Sequence, residues 1–282
     1  MVKRKLINVN GELISLETPK VMGIVNLTPD SFYVGSRKQT ESEVAARVEQ
    51  IMEEGADMID VGAYSTRPGG AEVTQEEEMS RLRKGLKVLR EVAPKSVVSV
   101  DTFRAAVARM AVEEFGVGIV NDISGGDEEM FETVAQLHTP YILMHMQGTV
   151  QTMHQQTHYE DMVREVFEYF ARKLAHLHDR GVADVIVDPG FGFSKTVDQN
   201  YELFAHLDDF SVFEHPLLVG VSRKSMIWKS LELTPEEALN GTTVLHALAL
   251  EHGADILRVH DVREAVEAVK LVMKCKSFEI KE

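Results

Sequence analysis

Val97-Val-Ser-Val-Asp-Thr102 and Gly118-Ile-Val-Asn-Asp-Ile-Ser124 are two short, mostly apolar runs with polar ends, separated by a segment of helix length. Runs of Val and Ile this short read as strands buried on both faces, the habit of parallel sheets with helical crossovers. Six more runs of the same kind lie to either side: Val21–Leu27, Met58–Ala63, Tyr141–Met146, Val185–Pro189, Leu217–Ser222 and Ile256–Asp261. Helical periodicity fills the gaps between them. Val44, Val48, Ile51 and Met52 share one helix face, and Thr40-Glu41-Ser42-Glu43 and Thr74-Gln75-Glu76-Glu77 have the form of capping boxes. Gly55, Gly181 and Gly253 stand where helices should stop before the next strand. Eight strand–helix repeats predict a closed (β/α)8 barrel of the α/β class, which takes about 250 residues. No linker or low-complexity stretch divides the chain, so residues 1–282 read as a single barrel domain. Ahead of the barrel, Ile7-Asn-Val-Asn-Gly-Glu-Leu-Ile14 reads as a β-hairpin turning on Asn10-Gly11, placed to cover the N-terminal mouth.

A net charge of −15 argues against nucleic acid or an anionic membrane as partner, while leaving room for a small anion held by clustered cations. Cys275 is the single cysteine, so no disulfide forms within the chain and a reducing compartment is expected. No run of about 18 apolar residues occurs. Together these features predict a soluble cytoplasmic protein.

In a barrel of this kind the active site lies at the C-terminal ends of the strands. Those ends are polar here: Asn26, Asp101, Asn121 with Asp122, His145, Asp188, Ser222 with Arg223 and Lys224, and Arg258 with His260. A polar residue at any one strand end is ordinary. Seven strands converging on one rim point to a ligand site. Asp101, Asn121 and Asp188 are rich in acceptors, and a buried carboxylate pairs well with a planar N–H/NH2 edge. Arg67, Arg258 and His260 suit phosphate oxygens, and Lys224 suits either a phosphate or a ring carbonyl. One site therefore holds a polar heterocycle and an anion together. Asn26-Leu-Thr-Pro-Asp-Ser-Phe32 and Gly62-Ala-Tyr-Ser-Thr-Arg-Pro-Gly-Gly70 read as loops, either as plain turns or as lids that exclude water.

Other motifs carry less. Gly190-Phe-Gly-Phe-Ser-Lys-Thr196 lacks the second glycine of a phosphate-binding P-loop. His154 and His158 are spaced as in a zinc protease helix, but Gln155 stands where the catalytic Glu is required, so both read as surface or loop residues. His176 and His178 read as a solvated helix face, and Trp228 as core packing.

The residues resemble one family along most of the chain. Met22-Gly-Ile-Val-Asn-Leu-Thr-Pro-Asp-Ser-Phe32, Ser65-Thr-Arg-Pro-Gly69, Val100-Asp-Thr102, Asn121-Asp-Ile-Ser-Gly125, Leu143-Met-His-Met146, Asp188-Pro-Gly190, Gly220-Val-Ser-Arg-Lys-Ser225 and Gly253–Asp261 are similar to the dihydropteroate synthases, one segment per strand and in order. The resemblance implies a folate-pathway transferase that joins 6-hydroxymethyl-7,8-dihydropterin diphosphate to 4-aminobenzoate. It implies Mg2+ on Asn26, the pterin ring on Asp101, Asn121, Asp188 and Lys224, and the diphosphate on Thr66, Arg258 and His260. Phe32, Arg67, Pro68 and Ser222 would surround aminobenzoate, and Asp30 would stabilise a pterin cation after diphosphate departs. It further implies a homodimer through the late helices, for which the apolar Leu239–Leu250 segment is suited. The chain departs from the family pattern at Ala63-Tyr64, at Tyr33-Val34-Gly35, and at Gln147 and Val150, all in loops. Three other functions share some of these residues: a pterin-binding methyltransferase domain, a Schiff-base aldolase using Lys224, and a catalytically silent pterin-binding subunit.

Overall fold

The computed structural model describes residues 5–27, 41–64 and 73–278. A hairpin of β1 (Leu6–Val9) and β2 (Glu12–Ser15) precedes eight parallel strands: β3 (Lys20–Asn26), β4 (Met58–Gly62), β5 (Val97–Asp101), β6 (Ile119–Asp122), β7 (Tyr141–Met144), β8 (Val185–Asp188), β9 (Leu218–Val219) and β10 (Ile256–Val259). Their order is β8-β7-β6-β5-β4-β3-β10-β9. A parallel bridge between Val187 and Leu217 brings the two ends of this sheet together, so the sheet closes as expected. The helices between strands are α1 (Glu41–Glu53), α2 (Gln75–Val92), α3 (Ala105–Phe115), α4 (Glu128–Leu137), α5 (Met162–Asp179), α6 (Val197–Ala205), the short α7 (Ser225–Ser230) with α8 (Leu239–Glu251), and α9 (Val262–Lys276). No described helix is long and apolar enough to cross a membrane.

The two-residue period of a strand sorts the barrel into an outside and an inside. Outward positions such as Val61, Val100, Leu143, Val187 and Val259 pack under the helices in one continuous core. Inward positions change character along the axis. At the N-terminal end Met22, Met58, Ile119, Ile142, Ile186, Leu218 and Ile256 form an apolar plug, with Val97 against it. One step further in are Asp60, Ser99, Asn121, Asp188 and Arg258. The floor is thus sealed by hydrocarbon, and polarity is confined to the end where the loops emerge.

The hairpin completes that seal. Asn10 (φ 53°) and Gly11 (φ 88°) turn it, two positive angles in a row as a tight hairpin requires. Ile7, Val9 and Leu16 bury themselves in the plug. Each such side chain contributes about 1.5–3 kcal/mol of burial. Lys5 Nζ reaches Asp255 Oδ2 at 2.5 Å, and the same oxygen accepts the Leu217 N–H at 2.8 Å, pinning the hairpin to the base of β9 and β10.

Local expectations fare unevenly. Gly55, Gly181 and Gly253 end their helices with φ of 94°, 77° and 89°. Val44, Val48 and Ile51 are buried, but Met52 is 37% exposed because the helix stripe is narrower than the four residues suggested. Thr74 caps α2 by accepting from Glu77 N, yet the Glu77 carboxylate turns to Arg81 at 2.8 Å, and no reciprocal bond to Thr74 is present among the described residues. The complete capping box is at Thr196 and Gln199, where the motif reading saw only a failed P-loop. Thr40 lies outside the described residues.

Replacing Ile7 by Ala should cost about 2–5 kcal/mol in urea unfolding, because it opens a void in the plug. Leu13→Ala, on the 69% exposed face of the same hairpin, should change stability little. Equal losses would show that the hairpin is not the barrel's floor.

Candidate active site

Three acids and two cations occupy the open end of the barrel. Arg258, inward on β10, bridges two strands: its Nε donates to Asp60 Oδ2 at 2.6 Å and an Nη to Asp101 Oδ2 at 2.7 Å. Asp60 is wholly buried, whereas a fifth of the Asp101 side chain reaches the mouth. Burial pushes the Asp101 carboxyl up to about 7; Arg258 opposes that rise and Asp60 adds to it. Asn121 on β6 donates from Nδ2 to Asp60 Oδ2 at 3.1 Å. Among the described residues, Asp60 Oδ1, Asn121 Oδ1 and Ser99 Oγ are buried without a hydrogen-bond partner.

Across the barrel, Asp188 ends β8 and accepts the Gly190 N–H at 2.8 Å. Burial raises its carboxyl, with Lys224 the strongest of the groups that oppose the rise. Lys224 sits where β9 has already given way to a turn, with Arg223 at φ 53°. Its Nζ donates to the Phe191 carbonyl and lies 4.7 Å from the Phe193 ring centroid. Burial lowers it to about 8, against the pull of Asp188. Gly192 makes room for it, because a Cβ there would meet Lys224 Cδ at 3.0 Å. Beside these charges Ile123, Met144, Met146, Val150 and Met153 form an apolar wall, with Phe193, Phe103 and Tyr64 against it. The mouth thus offers acceptors, a lysine donor and a flat apolar face, which is what a polar heterocycle requires.

The turn that carries Phe191 and Phe193 is tied down from behind. Lys195 is buried, and its Nζ meets His145 Nδ1 at 2.9 Å, Gly190 O at 3.1 Å and Phe193 O at 3.1 Å. Three acceptors match the three hydrogens of an ammonium. Burial lowers Lys195 to about 7, and burial together with Lys195 holds His145 well below its ordinary value. His145 therefore accepts at Nδ1 as a neutral ring. Ser194 Oγ adds bonds to the Gln147 N–H and carbonyl, each 2.9 Å, and Tyr159 donates to Ser194 O at 3.0 Å.

Asp101, Asn121, Asp188, Lys224 and Arg258 are brought together as the sequence suggested. Ser222 and His260 meet at the rim, where Ser222 Oγ accepts the His260 N–H at 3.1 Å. Asn26 closes the inward row of β3 beside Gly62 of β4. Three polar strand ends do not join the site. Asp122 points outward to Ser124 and the Tyr141 hydroxyl, since its neighbour Asn121 points in. His145 is buried behind the barrel wall against Tyr169 and Phe170. Arg223 forms a fork with Asp261 at 2.8 and 2.9 Å and also donates to the carbonyls of Pro235 and Glu236. Asp30, Phe32, Thr66, Arg67 and Pro68 lie outside the described residues. Sequence reasoning missed Asp60 and Lys195. An acid in the middle of an apolar strand was the available signal for the first, because such a group must find a partner.

Residues 22–260 match the pterin binding enzyme family. The chain belongs to that family. Among its relatives, the dihydropteroate synthase of Escherichia coli K12 is 42% identical over 267 residues, 93% of each chain. The Synechocystis dihydropteroate synthase is 40% identical over 256 residues, 89% of this chain and 88% of that one. The Yersinia pestis dihydropteroate synthase, solved with a sulfonamide drug complex, superposes with a TM-score of 0.89 at 37% identity, covering 96% of this chain and 99% of that one. The Xanthomonas albilineans enzyme with 4-aminobenzoic acid gives 0.87 at 36% identity, covering 98% and 100%. The residues matched to the pterin-binding family include every acid and cation of the mouth, from Asp60 to Arg258.

The shifted groups make a prediction about the ligand-free protein. Asp101 is raised from its ordinary 3.8 to about 7, so its contribution to stability is full below about 4 and is lost as pH rises through about 7. Lys224 is lowered from 10.5 to about 8, so its contribution is present at high pH and is lost as pH falls through about 8. Between those two values both charged forms are held at a cost. Asp101→Asn should therefore raise the Tm of the ligand-free protein at about pH 8, and the gain should shrink toward about pH 5. Calorimetry that finds a pH-independent difference, or a loss of stability at the higher pH, would contradict this account of the site.

Proposed function

We infer that this chain catalyses the joining of 6-hydroxymethyl-7,8-dihydropterin diphosphate to 4-aminobenzoate, giving 7,8-dihydropteroate and diphosphate. The observation that carries the reading is the acceptor-rich mouth built on Asp101, Asn121 and Asp188 around Arg258. The donor edge of an aminopyrimidinone ring is its natural complement, since two parallel hydrogen bonds match one carboxylate. The similarity to enzymes of this activity over more than nine-tenths of the chain supports the same conclusion.

The chemistry follows from this charge arrangement. The bond between the exocyclic methylene and the diphosphate oxygen breaks, and its electron pair leaves with the diphosphate. The positive charge spreads into the pterin ring beside the Asp101 and Asp188 carboxyls, whose ionised forms that charge favours. The aminobenzoate nitrogen then gives its lone pair to the methylene and loses a proton to solvent or to the freed diphosphate. A neutral arylamine needs no strong base, and none is required of Lys224, whose part is to donate to the ring. His260 and the free edge of Arg258 would face the diphosphate with Thr66. Phe32, Arg67, Pro68 and Ser222 would enclose aminobenzoate, and Asp30 would approach the cation from its loop.

Mg2+ belongs to this proposal. Among the described residues no cluster of three His, Cys, Asp or Glu side chains is placed to hold a metal ion. That suits Mg2+, which keeps several waters and binds through one or two protein oxygens together with substrate phosphate. Asn26 would supply the amide oxygen, and the ion would neutralise charge on the departing diphosphate. A cytoplasmic homodimer is also proposed; the exposed Val244 and Leu248 of α8 and Leu271 of α9 favour a second copy against these late helices.

Incubation with both substrates and Mg2+ should yield dihydropteroate, and chelation should suppress it. Asp188→Ala should weaken pterin diphosphate binding by about 1–3 kcal/mol or more in calorimetry, because ring donors lose their acceptor. A sulfonamide should compete with aminobenzoate. Borohydride should trap no adduct on Lys224; a stable adduct would point to aldolase chemistry instead.

A further inference from the structure

Asp60 has no part in the reaction described so far. It lies mid-strand in β4, wholly buried, and its Oδ2 accepts from both Arg258 Nε and Asn121 Nδ2. The second bond decides which way the Asn121 amide faces. The reverse orientation would set an amide oxygen against a carboxylate oxygen at about 3.1 Å, two acceptors with no proton between them. The amide nitrogen is therefore committed to Asp60, and the group left for a ligand is Asn121 Oδ1, which has no partner among the described residues. The first bond fixes the guanidinium plane, which directs an Nη to Asp101 Oδ2 at 2.7 Å.

We propose that Asp60 is a positioning residue of the pterin pocket: it makes Asn121 an obligatory acceptor and holds Arg258 against Asp101. The inference rests on the reading of this mouth as a pterin site. It explains why an acid is retained in the barrel interior, where one charge too many is costly. It also makes pterin recognition sensitive to the charge of a residue that acts only through its neighbours. The charged groups that act on Asp101 are Arg258 from β10, Asp60 from β4, Glu78 from α2, Asp122 from the outer side of β6 and Lys224 beyond β9. Neutralising Asp60 removes one of the three anions that raise the Asp101 carboxyl. The pH below which Asp101 gains a proton then falls.

The test uses 6-hydroxymethyl-7,8-dihydropterin, which lacks a titrating phosphate, with the full-length wild type, Asp60→Asn, Asn121→Ala and the double variant. Calorimetry across pH should show Asp60→Asn binding about ten- to hundredfold more weakly, with its acid limb moved to lower pH. The loss in the double variant should fall short of the sum of the two single losses, because part of the Asp60→Asn effect passes through the Asn121 amide. A purely structural loss would leave the acid limb in place. Unchanged affinity and limb in Asp60→Asn, or losses that simply add, would overturn the proposal. Should Asp60→Asn fail to fold, the wild type still decides. A scalar coupling across the hydrogen bond should link a pterin nitrogen to the Asn121 side-chain carbonyl carbon, and one from the Asn121 side-chain amide to a pterin acceptor would refute the assigned orientation. Failure of the wild type to bind pterin at all would instead remove the pocket reading itself.

Discussion

The guanidinium of Arg258, held between Asp60 and Asp101, is the constraint on which the rest of the site depends. A cation inside a barrel is tolerable only where acids satisfy it, and acids there are tolerable only with a cation between them. The trio ties β10 across β3 to β4 and β5, strands far apart along the chain that lie side by side in the sheet order. It also sets the chemistry of the mouth. With Asp188 and Lys224 added, the pocket holds more acid than base, an arrangement suited to a ligand that brings hydrogen-bond donors and develops positive charge.

That charge cluster survives because the opposite end of the barrel is sealed. Met22, Met58, Ile142 and Ile186 fill the interior below it, and the hairpin's Ile7, Val9 and Leu16 close the plug from outside. Without the seal, water reaching Asp60 from below would screen the interactions that set the shifted carboxyl of Asp101. The turn at residues 190–195 does a similar service at the mouth. Lys195, Ser194 and Asn200 tie it to the barrel wall, so the carbonyl that receives Lys224 and the ring of Phe193 are held in place before any ligand arrives. Preorganisation of this kind removes an entropic cost from binding.

The place where the chain departs from its family's pattern has a local structural answer. Tyr64 packs edge-on against Phe103 at 5.1 Å, and Arg104 lies over both rings. Arg104 is itself anchored by the buried Glu78, which also accepts the Thr102 hydroxyl at 2.7 Å. At Tyr64 this chain anchors the base of its second loop with an aromatic stack on a fixed cation.

By itself the sequence determined the eight strands, the hairpin and its turn, three helix stops, and the identity of five residues in the pocket. These are readable because strand burial, turn angles and helix stops depend on neighbours within a few positions. Strand position alone did not exclude Asp122, His145 or Arg223 from the rim, and it was the resemblance to a family that singled out Asn121 and Asp188. Polar strand ends look alike in one dimension, and only closure of the barrel decides which point inward. Nor could the sequence assign Asp60 or Lys195, whose partners lie 198 and 50 residues away along the chain. Tertiary structure decided those roles, because a buried charge is defined by what surrounds it in space.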